Sequence, residues 1–327
     1  MSDSSRSQSS RNGRFTGYAL ALLAAACWAT GGLTAKWLFS DPSPATASWP
    51  VPPLGIHIEP TVLAAGRAFS AFVLLLVALA VGRRRDLVIS RRDVPFFAVF
   101  GVAGLAMVHY TYFKTISLTS VATAILLEYL APVIVLAVGV AFMRHKFTWA
   151  LPAGVALSLA GCALVVGAVG GEGLIVSAQG IAWGLSSAGF FAAYSLMGTY
   201  AAGRYSPYTT LVWGLGFAAL FWMVALGPGA VLGIFADGKS AVAVLFMAIA
   251  STVVPFAAFL TALKHIAPTN ATVTSTVEPF LAAIGAFLLF GESLSLIQML
   301  GGVLVVLAIV VVQLPGAGVP ASLPPQD

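Results

Sequence analysis

The sequence predicts an all-α polytopic membrane protein: ten transmembrane helices arranged as two inverted five-helix repeats. Three observations predict it. First, 59% of the 327 residues are hydrophobic and only 8% are charged, whereas a soluble domain carries about 25% charged residues. Second, residues 111–165 lie over 258–312 without a gap. Pro132 falls on Pro279, Gly154 falls on Gly301, and each stretch holds three apolar runs at matching positions. Third, the linker charges are reversed. After the proline-bearing run the first copy reads Met143-Arg144-His145-Lys146 and the second Phe290-Gly291-Glu292-Ser293. The cationic linker of the second copy comes one step earlier, at Lys264-His265. Cytoplasmic loops collect Lys and Arg, so this shift inserts the second copy upside down. Inverted repeats of this kind build many secondary transporters.

The elements follow in order. Residues 1–14 are rich in Ser and Arg and are expected to be a disordered cytoplasmic N-terminus. Arg6, Arg11 and Arg14 ahead of an apolar run resemble the start of a signal peptide. The run continues to Phe39, however, which is long enough to span, so an uncleaved first helix is expected. Spans are expected near 15–38, 60–82, 94–116, 119–143 and 148–169, forming a first repeat over 15–170. A second repeat over 171–314 holds spans near 177–200, 207–227, 240–263, 269–290 and 295–314. The Pro-rich tail 315–327 is expected to be disordered. Loop 41–60 carries no Lys or Arg and is placed outside. With both termini in the cytoplasm, twelve of the sixteen Lys and Arg residues lie inside and only Lys114 and Lys239 fall toward the outside. The net charge of +5 is therefore a topology signal, not a nucleic-acid footprint.

Candidate functional residues are those the bilayer makes expensive. Proline has no N–H, so it deprives the carbonyl four residues earlier of its helical donor. Pro132 frees the carbonyl of Glu128, Pro255 that of Ser251 and Pro279 that of Ser275, all near the midplane by residue count. Paired helix breaks in two halves point to a substrate site. Ionisable groups inside spans are the second signal: Glu128, Glu278, Arg67 and His109. The two glutamates are expected to meet a proton or a substrate amine, with Glu128 protonation coupled to transport. Arg67 is expected to pair with Glu128 or to hold a substrate carboxylate, and Lys36 to snorkel. Trp28, Tyr112, Trp183 and Tyr194 lie beside small residues and suit an aromatic pocket with polar tips. Glycine stripes at Gly180-x3-Gly184-x3-Ala188 and Gly154-x3-Ser158 allow close helix approach. Cys27 and Cys162 both fall in spans, with no disulfide or metal spacing.

These residues resemble the drug/metabolite transporter superfamily, specifically its EamA-like permeases, over about residues 15–314. Trp28-Ala-Thr-Gly-Gly-Leu-Thr-Ala-Lys36 is similar to the family's first-span motif, and Ala65-Gly66-Arg67 to its second-span arginine. The stretch from Ala262-Leu263-Lys264-His265 through Glu278-Pro279 to Gly291-Glu292 is similar to its most recognisable block. Trp183-Gly184 and Tyr194 fit the start of the second half. Two positions depart from the pattern: Thr30-Gly31 replaces the usual Ser-Asn, and Arg144-His145 stands where Gly-Glu is common. The resemblance implies ten helices around a central cavity, spans five and ten at the periphery, and movement of small metabolites such as amino acids.

The expected function is a gradient-driven exporter in the cell membrane, with a small-molecule substrate, the lipid bilayer as partner, and no cofactor, metal or nucleic acid. Proton coupling and a homodimer stay open. The candidate substrate contacts are Trp28, Thr30, Arg67, His109, Tyr112, Glu128, Trp183, Tyr194, Ser275 and Glu278. Competing readings are a lipid scramblase or sensor, an intramembrane enzyme, and a nucleotide-sugar or sugar-phosphate carrier. The enzyme lacks support because Asp is absent from the spans and only one His lies in a span. No G-x-x-x-x-G-K-[ST] loop for ATP is present.

Overall fold

A computed structural model describes residues 3–43, 46–47, 49–50, 52–56, 58–119, 121–142, 148–168, 177–291 and 295–314. The reversed linkers at 143–146 and 292–293 and the tail 315–327 lie outside the described residues. Most of those described are helical, the rest lie in turns, bends and irregular loops, and there is no strand among them. Helix α1 covers Asp3–Phe39, α2 Pro60–Gly82, α3 Val94–Gly101 and α4 Met107–Leu118. A π turn, Val102–Ala106, joins α3 to α4. Then come α5 (Val121–Glu128), α6 (Ala131–Phe142), α7 (Ala150–Val165), α8 (Ala178–Ala202), α9 (Pro207–Leu226) and the short α10 (Pro228–Gly233). Helix α11 (Gly238–Ala248) passes through a second π turn, Ile249–Val253, into α12 (Val254–Ala262). The chain ends with α13 (Pro268–Ser275), α14 (Glu278–Phe290) and α15 (Leu296–Val311).

Seven helical stretches among the described residues are long and apolar enough to cross a membrane, and α7 and α15 are shorter apolar helices. This is a multi-pass membrane architecture. Helix α1 begins at Asp3, so residues 3–14 continue the helix of the apolar run toward the N-terminus. That segment has no proline to stop a helix growing out of the apolar run. Its end is also tied down, because the Arg14 guanidinium donates to the Gln313 carbonyl at 3.2 Å.

The backbone irregularities recur at one spacing. The π turn at Val102 returns at Ile249, 147 residues on. The break after Glu128 returns after Ser275, also 147 residues on, and α6 and α14 restart at Ala131 and Glu278. Pro60 and Pro207, each the first residue of a helix, keep the same spacing. Pro132, Pro255 and Pro279 each stand second in their helix segment (α6, α12 and α14), where a missing N–H costs least. The first π turn has no proline. It lies where Gly101 brings α3 against α9: a Cβ on Gly101 would stand 2.5 Å from the Gly214 carbonyl oxygen.

Packing follows the small residues. Helices α7 and α15 lie on each other through Gly161 and Gly301. A Cβ on Gly161 would sit 2.6 Å from the Gly301 carbonyl oxygen, and one on Gly301 would sit 2.7 Å from that of Gly161. Gly154 faces Val312 just as Gly301 faces Val165, a reciprocal contact at the same 147-residue spacing. Helix α1 packs on α12, α13 and α14, α4 on α8, and α2 on α9. Helix α13 is polar yet wholly buried. It manages this because its hydroxyls bond to its own backbone: Thr272 to Pro268 O, Thr274 to Asn270 O, and Ser275 to Ala271 O at 3.0 Å. Asn270 reaches out instead, donating to the Val312 carbonyl at 2.9 Å and to the Tyr18 hydroxyl.

At the cation-rich end, the loop after α2 meets the loop between α8 and α9. The Tyr205 hydroxyl donates to Asp93 and accepts from the Ser90 N–H at 3.2 Å, while Arg204 stands 3.7 Å from Asp93. Desolvation, followed by the Asp93 carboxylate that takes its hydrogen, pushes the Tyr205 phenol above its ordinary value of 10.0.

Two predictions follow from this packing. Gly161→Val should cost about 1–3 kcal/mol by overpacking, read as a lower unfolding temperature of the purified protein in detergent. Gly189→Ala, where an added Cβ meets nothing within 4 Å, should hold or raise that temperature. The Tyr205 phenol, raised in the folded state, contributes fully below 10.0 and loses its contribution as pH climbs through the raised value. Melting curves at alkaline pH should therefore fall more steeply for the wild type than for Tyr205→Phe.

Candidate functional site

The helix breaks and the π turn at 249–253 converge on one cavity of about 320 Å³. Its lining draws on most of the helices that flank it. Helix α1 supplies Trp28 with Gly31 and Gly32, α2 supplies Leu63 and Arg67, and α4 supplies Val108, His109, Tyr112 and Ile116. Glu128 and Tyr129 come from the α5–α6 break and Glu278 from the start of α14. Ser251 and Phe256 come from around the second π turn and Phe191 from α8. Ile58, in the loop before α2, also lines it, so the cavity reaches toward the end of the bundle that bears loop 41–60. Toward the other end an aromatic layer closes it. Phe256 packs edge-on to Tyr194 at 5.2 Å between ring centres, and Phe191 and Phe100 stack on Tyr194 at 6.2 and 5.6 Å.

Arg67 is buried, and its Nη2 donates to the Ser251 carbonyl at 3.2 Å and to Thr252 Oγ1 at 3.0 Å. Ser251 O is the carbonyl that Pro255 deprives of a donor. The sequence reading offered Glu128 as a partner for Arg67; among the described residues no carboxylate forms an ion pair with it. The Arg67 Nε is buried with no hydrogen-bond partner. A guanidinium has five N–H donors, so this one keeps capacity at the cavity wall.

The second freed carbonyl is covered in the same way. The Tyr129 hydroxyl lies 3.1 Å from Ser275 O, the group Pro279 exposes, and 2.6 Å from Glu278 Oε2. Glu128 takes a hydrogen bond from the buried Ser187 hydroxyl of α8. The His109 Nδ1 stands 2.8 Å from the Leu105 carbonyl, which fixes Nδ1 as the protonated nitrogen. Trp28 meets Phe256 and Phe191 edge-on at 5.4 and 6.0 Å.

Of the residues expected from sequence, Trp28, Arg67, His109, Tyr112, Glu128 and Glu278 line the cavity. Four others do not. Tyr194 is fully buried beneath it, with its hydroxyl 3.4 Å from the Phe256 carbonyl. Trp183 stands edge-on to Tyr110 at 5.6 Å, away from the lining. Thr30 is exposed and bonds to the Cys27 carbonyl at 2.9 Å, while the glycines after it face the cavity. The Ser275 hydroxyl turns back into α13, and only its carbonyl meets a cavity side chain. Lys36 lies 5.3 Å over the Phe290 ring, away from the lining. Tyr129 and Ser187 escaped the sequence reading. The signals were there: Tyr129 follows Glu128 directly into the break, and Ser187 is three residues past Gly184 on the same α8 face.

This fold marks a multi-pass membrane protein with a cavity among its helices, and comparison with known proteins gives its family. The family model of the EamA-like transporter family matches residues 15–167 and 178–314. The chain belongs to that family. It is 25% identical over 226 residues to the "Uncharacterized inner membrane transporter YicL" of Salmonella typhimurium, covering 69% of this chain and 75% of the relative. It is 30% identical over 238 residues to the "Uncharacterized transporter YxxF" of Bacillus subtilis, covering 69% and 72%. A transporter of Archaeoglobus fulgidus, likewise described as uncharacterized, is 27% identical over 243 residues, covering 69% and 78%. One crystal structure, described only as that of a protein, shares the fold with a TM-score of 0.71 at 20% identity. It covers 91% of this chain and 96% of the other.

The Arg67 contacts carry a stability prediction. Arg67→Leu strips Ser251 O of its donor and should cost about 1–3 kcal/mol. Thr252→Val removes one of the two contacts and should cost less. Thermal unfolding in detergent measures both, and equal melting of all three proteins would refute the covering role.

Proposed function

We propose that this protein is a gradient-driven exporter of small amphipathic metabolites, such as amino acids, working by alternating access around the central cavity. The observation that carries the reading is the mixed character of the cavity wall. Arg67 offers N–H donors from α2, Glu128 and Glu278 offer carboxyl groups from two helix breaks, and Trp28, Phe191 and Phe256 supply the apolar face. That set suits a molecule bearing both charges and an apolar part. The cavity of about 320 Å³ sits at the small end of ligand pockets, which run about 300–1,000 Å³.

The layout that supports alternating access is ten spans in two inverted five-helix repeats, with both termini in the cytoplasm. The recurrence of π turn, break and N-terminal proline at 147 residues supports it, as does the reciprocal packing of α7 on α15. In this orientation the cavity opens outward and the aromatic layer around Tyr194 closes it from the cytoplasm. The nucleotide-sugar reading fits less well, because phosphates call for several cations. Lys36 is engaged with Phe290, which leaves Arg67 as the only Lys or Arg of the lining among the described residues.

Counterflow of a panel of amino acids and related amphipathic compounds into proteoliposomes tests this. Arg67→Ala and Glu128→Gln should each lower it by about tenfold or more, since a charged hydrogen bond contributes about 1.5–3 kcal/mol. Wild-type counterflow in both variants, with normal membrane insertion, would remove the site.

A further inference from the structure

We propose that the Glu278 carboxyl is the proton-binding group of this cavity, and that the Tyr129 hydroxyl couples its proton to the break between α13 and α14. The proposal rests on the transporter reading and deepens it by naming where a coupling proton is held.

The argument is a count of hydrogens. The Tyr129 oxygen stands 2.6 Å from Glu278 Oε2 and 3.1 Å from Ser275 O. The Ser275 carbonyl can only accept. An ionised Glu278 can also only accept, and the phenol has one hydrogen to give. Two acceptors and one donor leave one contact unmade. A proton on Glu278 supplies the missing hydrogen: the acid donates to the Tyr129 oxygen, and Tyr129 donates to Ser275 O. Both distances then correspond to real bonds, and the carbonyl that Pro279 exposed has its partner. When the proton leaves to cavity water, the phenol turns to the carboxylate, since a charged acceptor binds more strongly than a neutral one. Ser275 O is then left bare in a buried site. Proton release therefore loosens the junction about which α14 is hinged to α13.

The surroundings of Glu278 fit this role. Tyr129 and Glu128 face it from the α5–α6 break, Tyr112 from α4 and Cys162 from α7. Arg67 and His109 share the cavity, but Arg67 is engaged with Ser251 and Thr252. On α1, Lys36 sits over Phe290 at the far end of α14, Cys27 lies further along the same helix, and Tyr18, with Arg14 beside it, meets Asn270 of α13. Helices α13 and α15 carry no titratable side chain. Among the described residues no cation forms an ion pair with Glu278 to hold it ionised. Glu128 differs: it accepts from the Ser187 hydroxyl, so that contact needs no proton on the acid.

Infrared difference spectra of the protein in phosphatidylcholine bilayers, stepped between acidic and alkaline buffer, test the assignment without any substrate. Beside the bands of the exposed carboxyls, common to all variants, the wild type and Glu128→Gln should show a titrating C=O component that Glu278→Gln lacks. Tyr129→Phe should keep the band but move it to higher frequency, because the acid has lost its acceptor. This variant also serves if Glu278→Gln does not fold. Identical carboxyl bands in the wild type and Glu278→Gln, or an unshifted component in Tyr129→Phe, would each overturn the proposal. None of these readouts involves transport, so failure here is distinct from failure of the counterflow test.

Discussion

The structure turns on two backbone carbonyls that proline leaves without helical donors. Pro255 frees Ser251 O and Pro279 frees Ser275 O, both in the second half of the chain and both buried. In a bilayer no water from the hydrocarbon can satisfy such a group, so the protein must. It does so from the first half: Arg67 of α2 donates to Ser251 O, and Tyr129 of the α5–α6 break donates to Ser275 O. These bonds cross the cavity region and stitch α2 and α5–α6 to the broken helices opposite. The side chains that seal the backbone are therefore the ones that line the site. The Arg67 guanidinium is held by two fixed oxygens, so an anion bound there would find it already oriented, at a lower ordering cost.

How much of this was legible depends on what each residue costs in a membrane. Arg67, His109, Glu128 and Glu278 stood out because an ionisable group within a span needs a protein or water-filled setting, and all four line the cavity. The three prolines stood out because a missing N–H has a fixed consequence, and each opens a helix segment after a break or a π turn. Trp183, Tyr194 and Thr30 were harder to place. Their helices are apolar or small-residue on nearly every side, so sequence carries little signal about which face turns inward. Tyr194 fills a fully buried layer, and Thr30 turns outward while Gly31 and Gly32 line the site. The turn at Val102–Ala106 had no proline to announce it. It lies beside the close approach of α9 at Gly101, a tertiary contact that local sequence does not announce.

The repeated backbone carries side chains that do not repeat. At a spacing of 147 residues Glu128 corresponds to Ser275, Ala131 to Glu278, Tyr129 to Thr276 and Arg67 to Gly214. Ionisable groups read from the sequence fall in both halves, with Arg67, His109 and Glu128 in the first and Glu278 in the second. The structure divides the hydrogen-bonding roles: the first half supplies the donors Arg67 and Tyr129, and the second half the exposed carbonyls together with Glu278. One break thus holds a tyrosine that reaches across, and the matching break holds the oxygens it reaches for.

This division bears on how the two halves can move. If both breaks carried the same groups, each would need its own partner, and the halves would be locked by two identical contacts. A single phenol serving two oxygens in the opposite half makes a contact with two settings instead. In one it covers Ser275 O, and in the other it answers the Glu278 charge. Both settings keep Tyr129 bonded, so the switch exchanges one hydrogen bond for another without exposing the phenol itself. What changes is whether the α13–α14 junction has its carbonyl covered. A backbone break is tolerated in hydrocarbon only while its polar groups are met by protein or by water. On the proposed coupling, an uncovered Ser275 O is met by cavity water or by a new donor, and either one changes what holds the α13–α14 junction.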